Sequence, residues 1–146
     1  MSFIIKSISV LLFFHSTTAI SQIFKKHQWK DRVLLVLTNS HNQDPPLYTK
    51  QLNELRGHPY ELNERKLVIY QVRLFSYTEG LNKDTTSIGN RTLISEYSSL
   101  KIPLKVVLIG LDGSIKFEKK GFTYTQEILE QIDQMPIRRQ ELRTKN

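Results

Sequence analysis

The chain alternates between short apolar runs and segments in which apolar residues recur every three or four positions. Val33–Leu37 is an unbroken apolar run, which is typical of a strand buried on both faces of a parallel sheet. Tyr48, Leu52 and Leu55 then recur at helical spacing, and the β-branched run Leu67–Val72 predicts a second strand. A strand, a helix and a strand in this order predict a parallel pair joined by a right-handed crossover.

Cap and turn residues set the limits of the first helix. Asp44 followed by Pro45 is typical of a helix start, because the carboxylate can accept free N–H groups and the proline needs none. The segment from Gly57 to Pro59 predicts its end. After the second strand, residues 76–90 are polar and contain glycine, so we expect a long loop there.

The second half predicts a short helix, a hairpin and a closing helix. Leu93, Tyr97 and Leu100 share one helical face, and Val106–Ile109 reads as the third strand. The turn at Leu111–Gly113 leads into a returning strand over residues 114–117.

The closing helix has its own start and stop signals. Thr123 and Gln126 resemble a capping box, and Ile128, Ile132 and Met135 then share one face. We expect Pro136 to end this helix and residues 138–146 to form a charged tail.

The resulting order, β-α-β-α-β-β-α, is that of the thioredoxin-like fold. It predicts an α/β domain with a central mixed sheet of about four strands flanked by helices. The Ile102-Pro103 step precedes the third strand, where that fold places a cis-proline. Only about 5–6% of X–Pro bonds in folded proteins are cis, so the cis bond is a hypothesis here.

The first residues have the layout of a secretory signal peptide. Lys6 precedes the apolar run Ile8–Phe14, and small residues follow, with cleavage predicted after Ala19 or Ser21. A transmembrane anchor needs about 20 apolar residues, which this run does not reach, and a buried strand would not explain the flanking residues. The sequence predicts export to the periplasm or cell exterior without a stable membrane anchor.

The predicted organisation is therefore a signal peptide (1–21), an N-terminal segment (22–28), a thioredoxin-like domain (29–137) and a charged tail (138–146).

The composition excludes several classes of reaction and metal site, because none of the 146 residues is cysteine. That excludes thiol–disulfide exchange, cysteine nucleophiles and Cys-ligated zinc or iron–sulfur sites. The net charge of +7 is concentrated near the two ends. This charge favours either an anionic partner or, as the better explanation, solubilising termini; no motif indicates nucleic acid.

Three ordered segments together resemble a known family. They are Trp29–Val36, Leu108–Gly113 (with Leu111 where lysine is expected) and Ile132–Glu141. The family is the "domain of unknown function 4174" group, found in small exported bacterial proteins and as a module of animal extracellular proteins with sushi repeats. The resemblance implies a thioredoxin-like fold related to peroxiredoxins, and it implies no activity.

In such a fold the reactive thiol follows the first strand, where helix N-terminal N–H groups lower its pKa. Here that position holds Ser40, His41 and Asp44. A serine needs an adjacent base to become a nucleophile, and these three residue types could supply a hydrolytic triad. The favoured alternative is a polar loop whose aspartate caps the helix. We predict no metal or cofactor, because His27, His41 and His58 are widely spaced.

The last motif leaves two interpretations open. Asp133, Arg138, Arg139 and Glu141 could form surface ion pairs, or they could present a charged surface to a partner. Trp29 is similarly expected to pack over the sheet edge, with an exposed aromatic anchor as the alternative.

The leading hypothesis is a non-catalytic binding module for a protein or anionic ligand; the rival is an enzyme that uses His41 and Asp44 in non-thiol chemistry. The candidate binding residues are Ser40, His41, Asp44, Pro103, Arg138 and Arg139. The sequence predicts no oligomeric state.

Overall fold

A mixed sheet of six strands forms the centre of the described part of the protein. The computed structural model describes residues 25–40, 43–74, 76–82, 88–89 and 103–145. The strands are β1 (Arg32–Leu37), β2 (Leu67–Arg73), β3 (Ser76–Glu79), β4 (Ile88–Gly89), β5 (Lys105–Ile109) and β6 (Ile115–Lys120). Their order across the sheet is β4-β3-β2-β1-β5-β6. The mixed sheet of a thioredoxin-like fold is thus confirmed, with two more strands than expected.

The first strand is the centre of this sheet. All six of its residues are buried, which confirms the interpretation of the apolar run. It pairs in parallel with β2, from Arg32 opposite Leu67 to Leu37 opposite Val72, and antiparallel with β5. The predicted parallel pair and the antiparallel β5–β6 hairpin are both present.

The extra strands lie in the segment predicted to be a loop. β3 returns antiparallel to β2, with Tyr70 opposite Glu79, and pairs in turn with β4. The loop prediction was wrong here because backbone pairing to β2 stabilises a short strand that has little apolar patterning of its own. The predicted helix around Leu93, Tyr97 and Leu100 lies outside the described residues.

Besides a helical turn at residues 25–27, four helices accompany the sheet in the described ranges: α1 (Pro46–Arg56), α2 (Pro59–Glu64), α3 (Thr125–Asp133) and α4 (Pro136–Thr144). The predicted ends of α1 and α3 are confirmed, since α1 ends at Arg56 and α3 ends at Asp133. The helices α2 and α4 were not predicted, because Pro59 and Pro136 also stand in the first turn of a new helix. Proline is favoured there because its missing N–H has no intrahelical partner to lose and its φ is already helical. The predicted charged tail is therefore mostly the helix α4.

The sheet buries apolar side chains on both faces. On one face, residues from β1, β2 and β5 pack with side chains of α1, α2 and α3, including Tyr48, Leu55, Leu62, Ile128 and Ile132. The other face buries the alternate residues of the same strands: Val33, Leu35, Leu37, Tyr70, Val72, Val107 and Ile109. Full burial of one such side chain contributes about 1.5–3 kcal/mol, so the two faces fix the strand register. That register places two groups of polar side chains at opposite ends of β1 and β2.

Candidate functional site

The loop after β1 is tied to the end of β2 by backbone hydrogen bonds. The Thr38 N–H donates to the Val72 carbonyl at 2.9 Å, and the Leu74 N–H donates to the Ser40 carbonyl at 3.1 Å. The Ser40 hydroxyl donates to the backbone carbonyl of Gln43. The serine that stands near the expected thiol position therefore has its proton engaged within its own loop.

Asp44 does not cap α1, contrary to the sequence interpretation. The N-cap is Pro45, with no side-chain hydrogen bond to the helix. Asp44 instead binds Arg73 through two contacts, Oδ1 to Nε at 2.7 Å and Oδ2 to Nη2 at 2.9 Å. A bidentate, charge-assisted pair is stronger than a single capping bond. The hydrogen bond that Arg73 donates to Asp44 raises the pKa of Arg73, so the guanidinium remains charged.

The aromatic ring of Tyr48 packs against the guanidinium of this ion pair. The guanidinium of Arg73 lies 5.6 Å from the centre of the Tyr48 ring, within cation–π range. The ring is fully buried, and its hydroxyl has no hydrogen-bond partner among the described residues. Burial raises the pKa of Tyr48, which keeps the phenol neutral. We therefore assign it a packing role.

Pro103 and His41 are two further candidate residues, and the structure describes only the first of them. Pro103 is exposed and precedes β5, whose first residue Lys105 pairs with Leu37 at the end of β1. Strand register thus places Pro103 at the same end as Ser40 and Asp44. His41 lies outside the described residues, and so does Ile102; the cis-proline hypothesis therefore stays a hypothesis.

The opposite end of β1 holds a buried arginine that the sequence analysis left out. Arg32, the first residue of β1, is fully buried. Its Nη1 donates to the Arg65 carbonyl at 3.0 Å, and both terminal nitrogens reach Glu141 Oε2 at 3.4 Å. Burial lowers the pKa of Arg32 against the opposing effect of Glu141. Its Nε has no partner within the described part of the chain.

Arg138 lies beside Arg32 and is also buried, with 2% of its surface exposed. It donates to Glu64 at 2.5 Å, to Asp133 at 3.3 Å and to Glu141 at 3.4 Å. The hydrogen bond from Arg138 lowers the pKa of Glu64 to about 2. Arg138 is therefore part of the interior and does not present its charge to a partner.

Arg65 completes the group. Its Nε and Nη2 bind the two oxygens of Asp133 at 2.9 and 2.7 Å. We call the six side chains the charge network: Arg32, Arg65, Arg138, Glu64, Asp133 and Glu141. Three arginines meet three carboxylates, and the exposed Lys145 and Lys66 add outer contacts to Glu64 at 3.3 Å and to Glu141 at 4.0 Å. It joins β1, α2, α3 and α4, and it explains both the first and the last motif structurally.

The side chain of Arg139 faces solvent, unlike that of Arg138. Successive helical residues are about 100° apart, so burial of Arg138 turns Arg139 outward. Arg139 is exposed, as is Arg143 one turn later, and neither forms an ion pair within the described ranges. Leu142 lies beside them with 40% of its surface exposed. Only the second of the doubled arginines is available to a partner.

Trp29 is exposed rather than packed over the sheet edge. It retains 65% of its surface in solvent and has a φ of 62°. That left-handed conformation is unusual for a bulky residue. Its N–H donates to the Leu111 carbonyl at 2.8 Å, which ties this turn to the β5–β6 hairpin.

Within the described residues, no three His, Cys, Asp or Glu side chains come together in a way that could hold a metal ion. Across the same ranges, no helix has the length and apolar character needed to cross a membrane.

Comparison with known proteins agrees with this architecture. The profile of the domain of unknown function DUF4174 matches residues 23–141. The structure is similar to the crystal structure of a Plasmodium vivax 2-Cys peroxiredoxin in its reduced form. The TM-score is 0.54 at 15% identity, covering 81% of this chain and 83% of the other. No curated protein sequence is significantly similar. At this identity the likeness concerns the fold, which is thioredoxin-like.

Proposed function

The chain belongs to the family of the domain of unknown function DUF4174, and we propose that it is an exported, non-catalytic module that binds an acidic protein partner. One observation carries this proposal. The Ser40 and Asp44 side chains at the thioredoxin-type position already have partners in the Gln43 carbonyl and Arg73, whereas α4 turns arginines that have no ion pair within the described residues towards solvent.

The carboxyl end of β1 offers little to catalysis. The chain has no cysteine, so no thiol can act there. The Ser40 hydroxyl donates to the Gln43 carbonyl, and both oxygens of Asp44 are held by Arg73. A hydrolytic serine needs its proton directed at a base, and that base needs an orienting acid. Ser40 and Asp44 are instead hydrogen-bonded to Gln43 and Arg73, which argues against the rival enzyme hypothesis.

The outer face of α4 has the chemistry of a docking surface. Arg139 and Arg143 are four residues apart and therefore lie next to each other on the helix. Leu142 adds an exposed apolar contact between them and the protein body. Arginine beside an apolar residue is a combination enriched at protein interfaces. Two unpaired arginines favour an anionic group, carboxylate or phosphate. The exposed Leu142 beside them favours a protein surface, so we infer a protein partner with an acidic segment.

Charge reversal at Arg139 tests this proposal. We expect Arg139→Glu to abolish co-purification of the partner from the exported fraction of the native cell. The matched control is Lys120→Glu, which makes the same charge change at an exposed position on the edge strand β6. Equal retention of partner proteins by the two variants would contradict a docking role for α4.

A second pair of variants separates binding from the rival. We expect His41→Ala and Asp44→Ala to retain both the partner and the biological function with intact folding. Loss of function in either, with the partner still bound, would favour the enzyme hypothesis.

Export is tested on the mature protein itself. The layout of the first 21 residues supports cleavage, so mass spectrometry of the secreted protein should find a chain that begins at Ile20 or Gln22. A secreted or cellular product that retains Met1 would contradict a cleaved signal peptide.

A further inference from the structure

The imidazole of His27 lies in a chain of hydrogen bonds that runs from the N-terminal segment onto the sheet. His27 is 4% exposed, although it precedes β1 and belongs to no strand. Its Nδ1 is 2.9 Å from Asp31 Oδ2, and its Nε2 is 2.7 Å from the Tyr70 hydroxyl. The same hydroxyl is 3.0 Å from Glu79 Oε2, which also accepts from Lys26 at 2.6 Å. None of these groups takes part in the proposed docking surface.

The protons available along this chain of hydrogen bonds determine the protonation state of the imidazole. The Tyr70 hydroxyl has one proton and two close neighbours, His27 and Glu79. A carboxylate can only accept, so the hydroxyl proton goes to Glu79 if that group is ionised. His27 Nε2 must then donate to the Tyr70 oxygen, while Nδ1 donates to Asp31. Both donations are possible only in the imidazolium form.

Each neutral form of the His27 imidazole leaves one hydrogen bond of this chain without a proton. If Nδ1 alone is protonated, Tyr70 donates to His27 and faces Glu79 with only lone pairs at 3.0 Å. If Nε2 alone is protonated, the lone pair of Nδ1 faces Asp31 at 2.9 Å. Each neutral form therefore sets two acceptors against each other in a part-buried site, which costs free energy.

The surrounding charges agree with this assignment. The hydrogen bond from Lys26 lowers the pKa of Glu79 despite its partial burial, so this carboxylate is ionised. Burial and the neighbouring Glu79 raise the pKa of Tyr70, so the phenol keeps its proton. The charged or titratable groups around the imidazole are thus Asp31 from the turn, Tyr70 from β2, Glu79 and Tyr77 from β3, and Lys26.

We propose that His27 is a pH-sensitive latch, whose doubly protonated ring fastens residues 27–31 to the sheet and whose loss of a proton loosens them. The pH dependence of the latch has a definite direction. The fastened form holds the extra proton, so the latch is closed at acidic pH and opens as pH rises. Imidazole is the side chain suited to this task, because it titrates between about pH 5 and 8.

The latch controls the turn that displays Trp29. The His27 carbonyl accepts the N–H groups of Lys30 and Asp31, both at 2.9 Å, so the turn is built on His27. Trp29 lies in that turn in its left-handed conformation and is the only tryptophan of the chain. Its fluorescence therefore reports directly on whether the latch is closed.

The protonation state is measured on the unaltered protein. Nuclear magnetic resonance of the ring nitrogens should show both nitrogens of His27 protonated in the closed form and only one in the open form. A ring that holds a single proton throughout the range from about pH 5 to 8 would overturn the proposal. This experiment needs no variant, so it holds even if substitutions at this site prevent folding.

The latch is measured by the emission of Trp29 between about pH 5 and 8. We expect a single sigmoidal change in the unaltered protein and in His58→Gln. His58 is a suitable control because its side chain is 39% exposed and lies 3.7–3.8 Å from Glu61 and Glu54. In His27→Gln, which can hydrogen-bond but cannot become charged, we expect the change to be lost. A flat profile in the unaltered protein, or the same change in His27→Gln, would overturn the latch.

Discussion

The two ends of β1 differ in how they use charged side chains. At the carboxyl end, Asp44 and Arg73 form one bidentate pair with side chains that are 33% and 23% exposed. At the amino end, Arg32 and Arg138 are 0% and 2% exposed and share their carboxylates with Arg65. One end holds a single partly exposed pair, and the other holds a network in which two arginines are buried and the carboxylates are 21–37% exposed.

This difference shows what the family motifs encode. The first motif supplies Arg32 and the last supplies Asp133, Arg138 and Glu141, so both motifs meet in the charge network. The position that carries a thiol in thioredoxins contributes no described side chain to that network. These residues of the first and last motifs therefore have structural roles in this protein, and in the last motif Arg139 lies outside the network and belongs to the docking surface proposed on α4.

The largest expected effect is at Arg138. Arg138→Ala removes a guanidinium that is 2% exposed and leaves Glu64, Asp133 and Glu141, which are 23%, 37% and 21% exposed, with one partner fewer. Removing one member of a fully buried ion pair costs about 3–5 kcal/mol. Because these carboxylates stay partly hydrated, we expect a loss near the lower end of that range in the free energy of unfolding. Urea denaturation measures it. Arg139→Ala, on the same helix but exposed, should stay within about 0.5 kcal/mol; similar losses in both variants would contradict a network centred on Arg138.

Acid should weaken the same end of the sheet. The hydrogen bond from Arg138 holds the pKa of Glu64 at about 2, below its ordinary value of 4.5. The fold therefore favours the ionised carboxylate, and this contribution is complete above pH 4.5 and is lost as pH falls towards 2. We expect a loss of about 2 kcal/mol over that range.

Comparing the pH dependence of unfolding in Glu64→Gln and Glu130→Gln checks this expectation. Glu64→Gln should be less stable at neutral pH and should lose less on acidification. Glu130 is exposed on α3 and serves as the control. An unchanged acid profile in Glu64→Gln would mean that this carboxylate is not linked to folding.

The sheet was largely predictable because its strands are apolar enough to be recognised singly. Val33–Leu37 and Leu67–Val72 are short apolar runs with β-branched residues, which favours buried strands, and their order implied the parallel pair. The helices α2 and α4 were missed since proline has two opposite meanings: inside a helix it breaks the hydrogen bonding, and in the first turn it is favoured. Whether Pro136 ends α3 or begins α4 depends on the packing of Arg138, which local sequence does not contain.

The charge network could not be predicted for a different reason. Arg65 and Asp133 are 68 residues apart, and Arg32 and Glu141 are 109 apart. No spacing rule connects them, and an arginine before an apolar run is expected to reach solvent. The location of the candidate site after β1 could be predicted from topology alone. The partner of Asp44 could not, because Arg73 enters the site from the end of a different strand.

The smallest expected effect compares two pairs with the same geometry. Asp44 binds Arg73 and Asp133 binds Arg65, each through two hydrogen bonds of 2.7–2.9 Å. We expect Asp44→Asn to cost at most about 1 kcal/mol, because solvent and salt screen a pair at the surface. Asp133→Asn should cost more than twice as much in the same urea experiment, since Asp133 also receives a hydrogen bond from the buried Arg138.

Raising the salt concentration from about 0.1 to 1 M shortens the screening length from about 10 to 3 Å. It should therefore remove a larger share of the Asp44→Asn effect than of the Asp133→Asn effect, because the partners of Asp133, Arg65 and Arg138, are 16% and 2% exposed whereas Arg73 is 23% exposed. Equal costs and equal salt sensitivity would show that both pairs act as isolated surface contacts. The distinction between the two ends of β1 would then rest on Arg32 and Arg138 alone.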